Sequence, residues 1–264
     1  MSSTHAVFEK AKSENRAALI AYLPAGFPTV AEGIDLVKAI VEGGADIVEV
    51  GWPYSDPLMD GPTIQRAVEQ ALANGCKVVD VLETVSAVAE AGAVPLVMSY
   101  WNPIERYGVV RFAEELKAAG GVGVINPDLI PEEAKDWIAA TDAAGIDRTF
   151  LVAPSSSDTR IRIIADATSG FVYAASLMGV TGTRDALSGH AESLVARTRA
   201  VTTSPIAVGL GVSTPEQAAE IAQYADGVIV GSAFVKAILE SPNHEAAIVA
   251  VRELARELSA GVKR

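Results

Sequence analysis

A single cysteine, Cys76, stands in the chain of 264 residues, so no internal disulfide can form and a reducing compartment is expected. The three histidines, His5, His190 and His244, lie far apart and show no ligand spacing, which argues against a zinc centre. No apolar run approaches the ~20 residues of a membrane span, and the polar start Met-Ser-Ser-Thr-His lacks the character of a secretion signal. A cytoplasmic protein without a membrane partner is expected. Positive charge is scarce too. With 21 basic and 33 acidic residues the net charge is −12, which argues against nucleic acid as a partner. General positive charge could not hold a phosphorylated ligand, so any phosphate site must use aimed backbone amides. The eight lysines (10, 12, 38, 77, 117, 135, 236 and 263) all fall in helical patterns, outer loops or the tail. None is placed to form a Schiff base at a strand end, where a carbon–carbon lyase of that type needs one.

What the chain does have is apolar substance. Half of the residues are hydrophobic and 20% charged, enough for one large α/β domain or two small ones. Short apolar runs predict strands at Ala18–Leu23, Ile47–Val50, Pro95–Tyr100, Val122–Asn126, Arg148–Val152, Phe171–Ala174, Pro205–Val208 and Gly227–Val230. Amphipathic stretches between them predict helices over Val30–Val41, Thr63–Ala73, Val79–Ala91, Val109–Ala119, Pro131–Ala143, Asp158–Thr168, Ala191–Val201 and Pro215–Gln223, with a final pair near Phe234–Leu239 and His244–Leu258. Eight such units without a linker or low-complexity segment predict one α/β domain over residues 1–264, a (β/α)₈ TIM barrel. An extra N-terminal helix around Ala6–Asn15 would plug its bottom. A doubly wound sheet usually has fewer strands, and Leu23-Pro-Ala-Gly-Phe-Pro28 stands where that fold carries Gly-x-Gly-x-x-Gly.

In such a barrel, chemistry collects at the C-terminal strand ends. Alternation in Ile47-Val-Glu-Val50 sets Glu49 inside an apolar strand, where lost hydration favours the protonated acid. Asp60 follows eleven residues later, after a Pro-rich turn. Two carboxylates in different environments would divide into a proton shuttle and a group that stays ionised. Three glycine turns, Gly179-Val-Thr181-Gly182, Gly209-Leu210-Gly211 and Gly231-Ser232, offer backbone amides to an anion. The last two follow strands seven and eight, where barrels often bind phosphate. Arg184 could add charge or remain a solvated loop residue. Tyr22, Tyr100 and Tyr173 near strand ends, with Leu129 and Leu210, would form a flat apolar slot for a planar ring. Loops two (Gly51–Pro62) and six (Ser176–Gly189) exceed the usual ~2–6 residues and suggest a lid or partner surface. Each feature alone has a plainer reading: an ion-paired strand Glu, an Asp bonding its own turn, aromatics filling a core. Together they leave open a carboxylate-driven enzyme, a phosphate-sugar isomerase or epimerase, and a subunit that binds a phosphorylated ligand without turning it over.

The segments Asp46-Ile-Val-Glu49-Val-Gly51, Tyr54-Ser-Asp-Pro-Leu-Met-Asp60-Gly-Pro-Thr-Ile-Gln65, Trp101-Asn-Pro-Ile104, Pro127-Asp-Leu129, Phe150-Leu-Val-Ala-Pro154, Gly179-Val-Thr-Gly182 and Gly209-Leu-Gly-Val-Ser-Thr-Pro-Glu-Gln217 closely resemble the tryptophan synthase alpha chain family, in order and over nearly the whole chain. The resemblance implies a lyase that cleaves indole-3-glycerol phosphate to indole and glyceraldehyde 3-phosphate, late in L-tryptophan biosynthesis. It implies an alpha-beta-beta-alpha complex in which the beta chain carries pyridoxal phosphate, with no cofactor in this chain. By motif, Glu49 matches the general acid/base, Asp60 the carboxylate at the indole nitrogen, and Tyr173 a pocket tyrosine. Thr181, Gly182, Gly211, Gly231 and Ser232 match loop six and the phosphate cradle. Trp52, Phe27 and Asn126 depart from the residues commonest in that family.

Overall fold

The computed structural model describes residues 3–175, 184–209 and 211–264. Eight strands form one parallel sheet: β1 (Ala18–Pro24), β2 (Ile47–Gly51), β3 (Val94–Met98), β4 (Gly123–Ile125), β5 in two segments (Asp147–Thr149 and Leu151–Val152), β6 (Val172–Ala175), β7 (Ile206–Gly209) and β8 (Gly227–Val230). The order runs from the first β5 segment through β4, β3, β2, β1, β8, β7 and β6 to the second β5 segment. The two ends of the sheet are thus two halves of one strand, separated only by Phe150, and the sheet is a barrel.

Arg148–Val152, expected as one uninterrupted strand, is broken at Phe150. The residues before the break pair with β4, where Thr149 O accepts from Asn126 N–H at 3.2 Å. Those after it pair with β6, and Phe150 O accepts from Tyr173 N–H at 3.2 Å. The buried Phe150 ring packs in the layer between strands and helices.

The helices are α1 (Ser3–Ser13), α2 (Val30–Glu42), α3 (Pro62–Ala73), α4 (Val78–Glu90), α5 (Trp101–Tyr107), α6 (Val109–Ala118), α7 (Lys135–Ala144), α8 (Asp158–Ala167), α9 (Arg184–Arg199), α10 (Pro215–Ala222), α11 (Ser232–Glu240) and α12 (His244–Gly261). A 3₁₀ turn over Pro131–Glu133 precedes α7, so the helix expected from Pro131 starts late. Two further differences bear on the site. Residues after Ser99 do not extend β3, because Tyr100 caps the short helix α5 and the Asp128 carboxylate accepts from Trp101 N–H at 2.9 and 3.1 Å. Helix α9 begins at Arg184, well before the expected Ala191, since its first turns are polar and show no apolar period. Residues 184–189, expected in loop six, thus belong to the helix.

Period-two alternation sorts the strands into two cores. Leu19, Ala21, Leu23, Val48, Val50, Val97 and Val124 face the helices, while Ala18, Ile20, Ile47, Leu96, Ile125, Ala207 and Ile229 fill the barrel. Helix α1 closes the bottom, with the Phe8 ring 5.5 Å from Phe171. Among the described residues no helix is long and apolar enough to cross a membrane.

One ion pair ties this bottom to the strand that matters most. Arg16, just before β1, donates from Nη1 and Nη2 to Asp46 at 2.6 and 2.8 Å, and Asp46 also accepts from Leu19 N–H at 2.9 Å. Both side chains are mostly buried, and without Asp46 the guanidinium keeps only the more exposed Glu14 as an acidic partner. Asp46→Ala should cost about 2–4 kcal/mol, read as a lower midpoint in urea with an unchanged slope. A loss below about 0.5 kcal/mol would show the pair to be ordinary surface charge.

Candidate active site

The barrel fixes Glu49 from the backbone up. It is the third residue of β2, lies opposite Tyr22 on β1 and Leu96 on β3, and points with Ile47 into the barrel. Only 1% of Glu49 is exposed, and its Oε1 has no hydrogen-bond partner among the described residues. Burial therefore raises its pKa from an ordinary 4.5 to about 8. A carboxyl group in that state is a proton donor at neutral pH.

Asp60 reaches the same cavity from the loop between β2 and α3. The cavity, about 910 Å³ with its open mouth, is lined by Tyr22, Glu49, Asp60 and Tyr173, with Met98, Leu151 and Ile229 as apolar walls. Burial raises the pKa of Asp60 as well, but it is less enclosed than Glu49, and a hydrogen bond from the Tyr100 hydroxyl opposes the rise. The two acids therefore differ in the sense an acid/base pair requires. Burial pushes the phenols of Tyr22 and Tyr173 well above their ordinary value, which keeps both as neutral hydrogen-bond donors. Glycines make room for them. A Cβ at Gly51 would collide with the Tyr22 ring and hydroxyl, and one at Gly209 with those of Tyr173.

At the other wall, Gly211, with φ +66°, Gly231 and Ser232 line the cavity together. Ser232 opens α11, whose first turn holds no acidic residue, so helix N–H groups and a hydroxyl meet there.

Of the other residues singled out from sequence, Thr181, Gly182 and Leu210 lie outside the described residues. Leu129 does not line the slot. The Asp128 side chain is drawn to the start of α5, and Leu129 packs in the helix-facing layer. Tyr100 is not among the cavity-lining residues; its hydroxyl accepts from Met59 N–H at 3.0 Å, behind the Asp60 loop. Met59, Gly61, Ile64, Met98, Leu151, Ala175 and Ile229 also line the cavity. Only their position at strand ends, in loop two and at the start of α3 could have marked them, since most are of types ordinary in a core. Trp52 stacks on the outer layer, 5.0 Å from Phe112 and edge-on to Tyr107 at 6.1 Å.

A family model described as the tryptophan synthase alpha chain matches residues 8–263. The chain belongs to the tryptophan synthase alpha chain family. It is 62% identical to the tryptophan synthase alpha chain of Thermobifida fusca, covering 96% of this chain and 95% of that one. It is 58% identical to that of Streptomyces coelicolor, over 96% and 94%. Among solved structures, Mycobacterium tuberculosis tryptophan synthase superposes with a TM-score of 0.93 at 52% identity, over 100% and 99% of the two chains. The alpha subunit of Legionella pneumophila gives 0.89 at 32%, over 99% and 98%. This family member is thus an alpha chain in its barrel throughout, with none of its lysines at the cavity.

Burial of Glu49 makes a prediction independent of turnover. A folded-state pKa raised above the unfolded value gives a contribution that is complete below about 4.5 and is lost as pH rises through about 8. Glu49→Gln keeps the shape without the titration. The variant should gain stability over wild type as pH rises from 5 to 9, reaching a few kcal/mol, with no difference near pH 4. Parallel pH–melting curves for the two proteins would show instead that Glu49 is solvated.

Proposed function

We propose that Glu49 and Asp60 perform the cleavage of indole-3-glycerol phosphate to indole and glyceraldehyde 3-phosphate, the reaction of this lyase family. The observation that carries the assignment is the buried Glu49 carboxyl, its Oε1 without a hydrogen-bond partner among the described residues, facing the same cavity as Asp60.

Glu49, neutral at the start, gives its proton to C3 of the indole, and positive charge develops at N1. The Asp60 carboxylate, held in its ionised form, accepts from N1–H and stabilises that charge. Glu49, now a carboxylate, takes the proton of the hydroxyl on the carbon attached to C3. The O–H pair becomes the aldehyde π bond, the carbon–carbon bond breaks, and its electrons return to the ring and neutralise N1. One proton is given and one recovered, so Glu49 ends as it began. Tyr22 and Tyr173 with Met98, Leu151 and Ile229 would sandwich the ring, and Gly211, Gly231 and Ser232 would hold the phosphate.

The partner is the tryptophan synthase beta chain, in an alpha-beta-beta-alpha assembly whose beta chain holds pyridoxal phosphate; this chain itself takes no cofactor. Leu58, 74% exposed, and Met59, 39% exposed, give loop two an apolar tip suited to a protein partner. Ordering of that loop would complete the cavity, so indole release should rise when the beta chain binds. The single cysteine supports a cytoplasmic location.

Released indole is the readout. With the alpha-beta complex, Glu49→Gln and Asp60→Asn should each lower kcat by at least about 10²-fold. The wild-type kcat/KM should fall above pH about 8, as Glu49 loses its proton, and also in acid as Asp60 gains one. Equal rates for wild type and Glu49→Gln would remove Glu49 from the chemistry.

A further inference from the structure

Asn126 is fully buried one residue past β4, on the far side of β3 from Glu49, and is one of few polar side chains in that layer. Its amide is used at both ends. Oδ1 accepts from Trp137 Nε1–H of α7 at 2.8 Å, and Nδ2 donates to the Ser99 carbonyl at 3.1 Å. An apolar residue there would leave an indole N–H and a carbonyl buried without partners.

The Ser99 carbonyl belongs to the corner between β3 and α5, where several polar groups are committed. Ser99 N–H donates to Ile125 O at 3.1 Å, the Ser99 hydroxyl to Tyr100 O at 2.9 Å, and Trp101 N–H to Asp128. Tyr100 is therefore clamped on both sides along the chain. Its hydroxyl leaves the corner and accepts from Met59 N–H at 3.0 Å, while its ring lies 5.6 Å from that of Tyr54, another loop-two residue. The same hydroxyl lies beside Asp60 and counters the effect of burial on that carboxylate.

We infer that Asn126 is a positioning residue for the reaction: through the Ser99 carbonyl it fixes the corner that carries Tyr100, whose hydroxyl holds Met59 N–H and, through that backbone, the adjoining Asp60 at the cavity. Loop two has few other anchors near Asp60. The Gln65 side chain donates to Asp60 O at 2.7 Å, but it ties only the backbone. The inference rests on the assignment of Asp60 to the indole nitrogen, and it adds a control route from α7 to that acid.

The test uses the alpha-beta complex and indole release across pH. Asn126→Leu should lower kcat about 10- to 100-fold with a smaller change in KM. The acid limb of the profile should move towards neutrality, because Asp60 loses a hydrogen bond that favours its ionised form. Tyr100→Phe, which keeps ring and packing, should show the same shift. The double variant should be no worse than Tyr100→Phe alone. Trp137→Phe, which keeps the aromatic contact and deletes the N–H that orients the amide, should move the limb in the same direction and serves if Asn126→Leu does not fold. A lower melting temperature with an unmoved acid limb, or additive losses in the double variant, would overturn the inference and leave Asp60's role intact. Normal indole release by Asp60→Asn would instead overturn the assignment of Asp60 on which it rests.

Discussion

A carboxyl group buried in the wall of a barrel is the constraint around which the rest of this molecule is arranged. Glu49 costs stability where it is, because its charge cannot be hydrated and its Oε1 meets no donor among the described residues. The chain tolerates that cost by leaving the group protonated, with a pKa of about 8. Much else follows. The neighbours that share its cavity include tyrosines and apolar strand ends, and among the described residues none offers a positive counter-charge. The glycines at 51 and 209 exist as glycines because tyrosine rings lie over those strand ends. A strand ladder of parallel hydrogen bonds holds Glu49 at a fixed height in the barrel, and the Arg16–Asp46 pair secures the entry of that same strand.

Asp60 answers a different need and so sits on a different kind of support. A group that must remain ionised is better placed on a loop at the cavity mouth, where hydration persists, than on a strand. Loops are less exact, and the structure compensates with side-chain tethers. Gln65 grips the Asp60 backbone, Tyr100 the N–H of the residue before it, and Trp52 and Tyr54 dock the start of the loop on α5 and α6. Rigidity comes from the strand for one acid and from a polar network for the other.

The sequence disclosed the features that local rules govern. Alternation around Glu49 follows from strand geometry, and the glycine turns after β7 and β8 follow from close backbone approach. Features set by long-range partners were not visible. The capture of Trp101 N–H by Asp128 ends β3 early, starts α5 and sends Leu129 outward; nothing in the local pattern announces a contact across 27 residues of sequence. The break at Phe150 reflects a strand passing from one neighbour to the other around a closed ring, again a tertiary effect. Met98, Leu151 and Ile229 escaped notice because an apolar residue at a strand end looks the same whether it faces a core or a ligand. Polar and glycine positions were readable because their chemistry is costly in a core; apolar walls were not.

The same economy of charge governs the ligand. A phosphorylated substrate approaches a chain of net charge −12 and enters a cavity lined by two acids and, among the described residues, no lysine or arginine. Solvent ions screen the overall repulsion beyond about 8 Å, and on the proposed assignment the attraction is short-ranged, from N–H groups at the start of α11 and the turn at Gly211. Once bound, the phosphate is an anion within the barrel mouth, and a nearby negative charge disfavours ionisation of Glu49 still further. Binding thus reinforces the protonation state that the first proton transfer requires. A lysine at the phosphate would bind it more strongly at long range but would weaken that effect, since a positive charge there would favour the Glu49 carboxylate. On the proposed assignment backbone amides would hold the anion with no net charge of their own, and a cavity poor in cations would then suit an acid that must stay neutral until it acts.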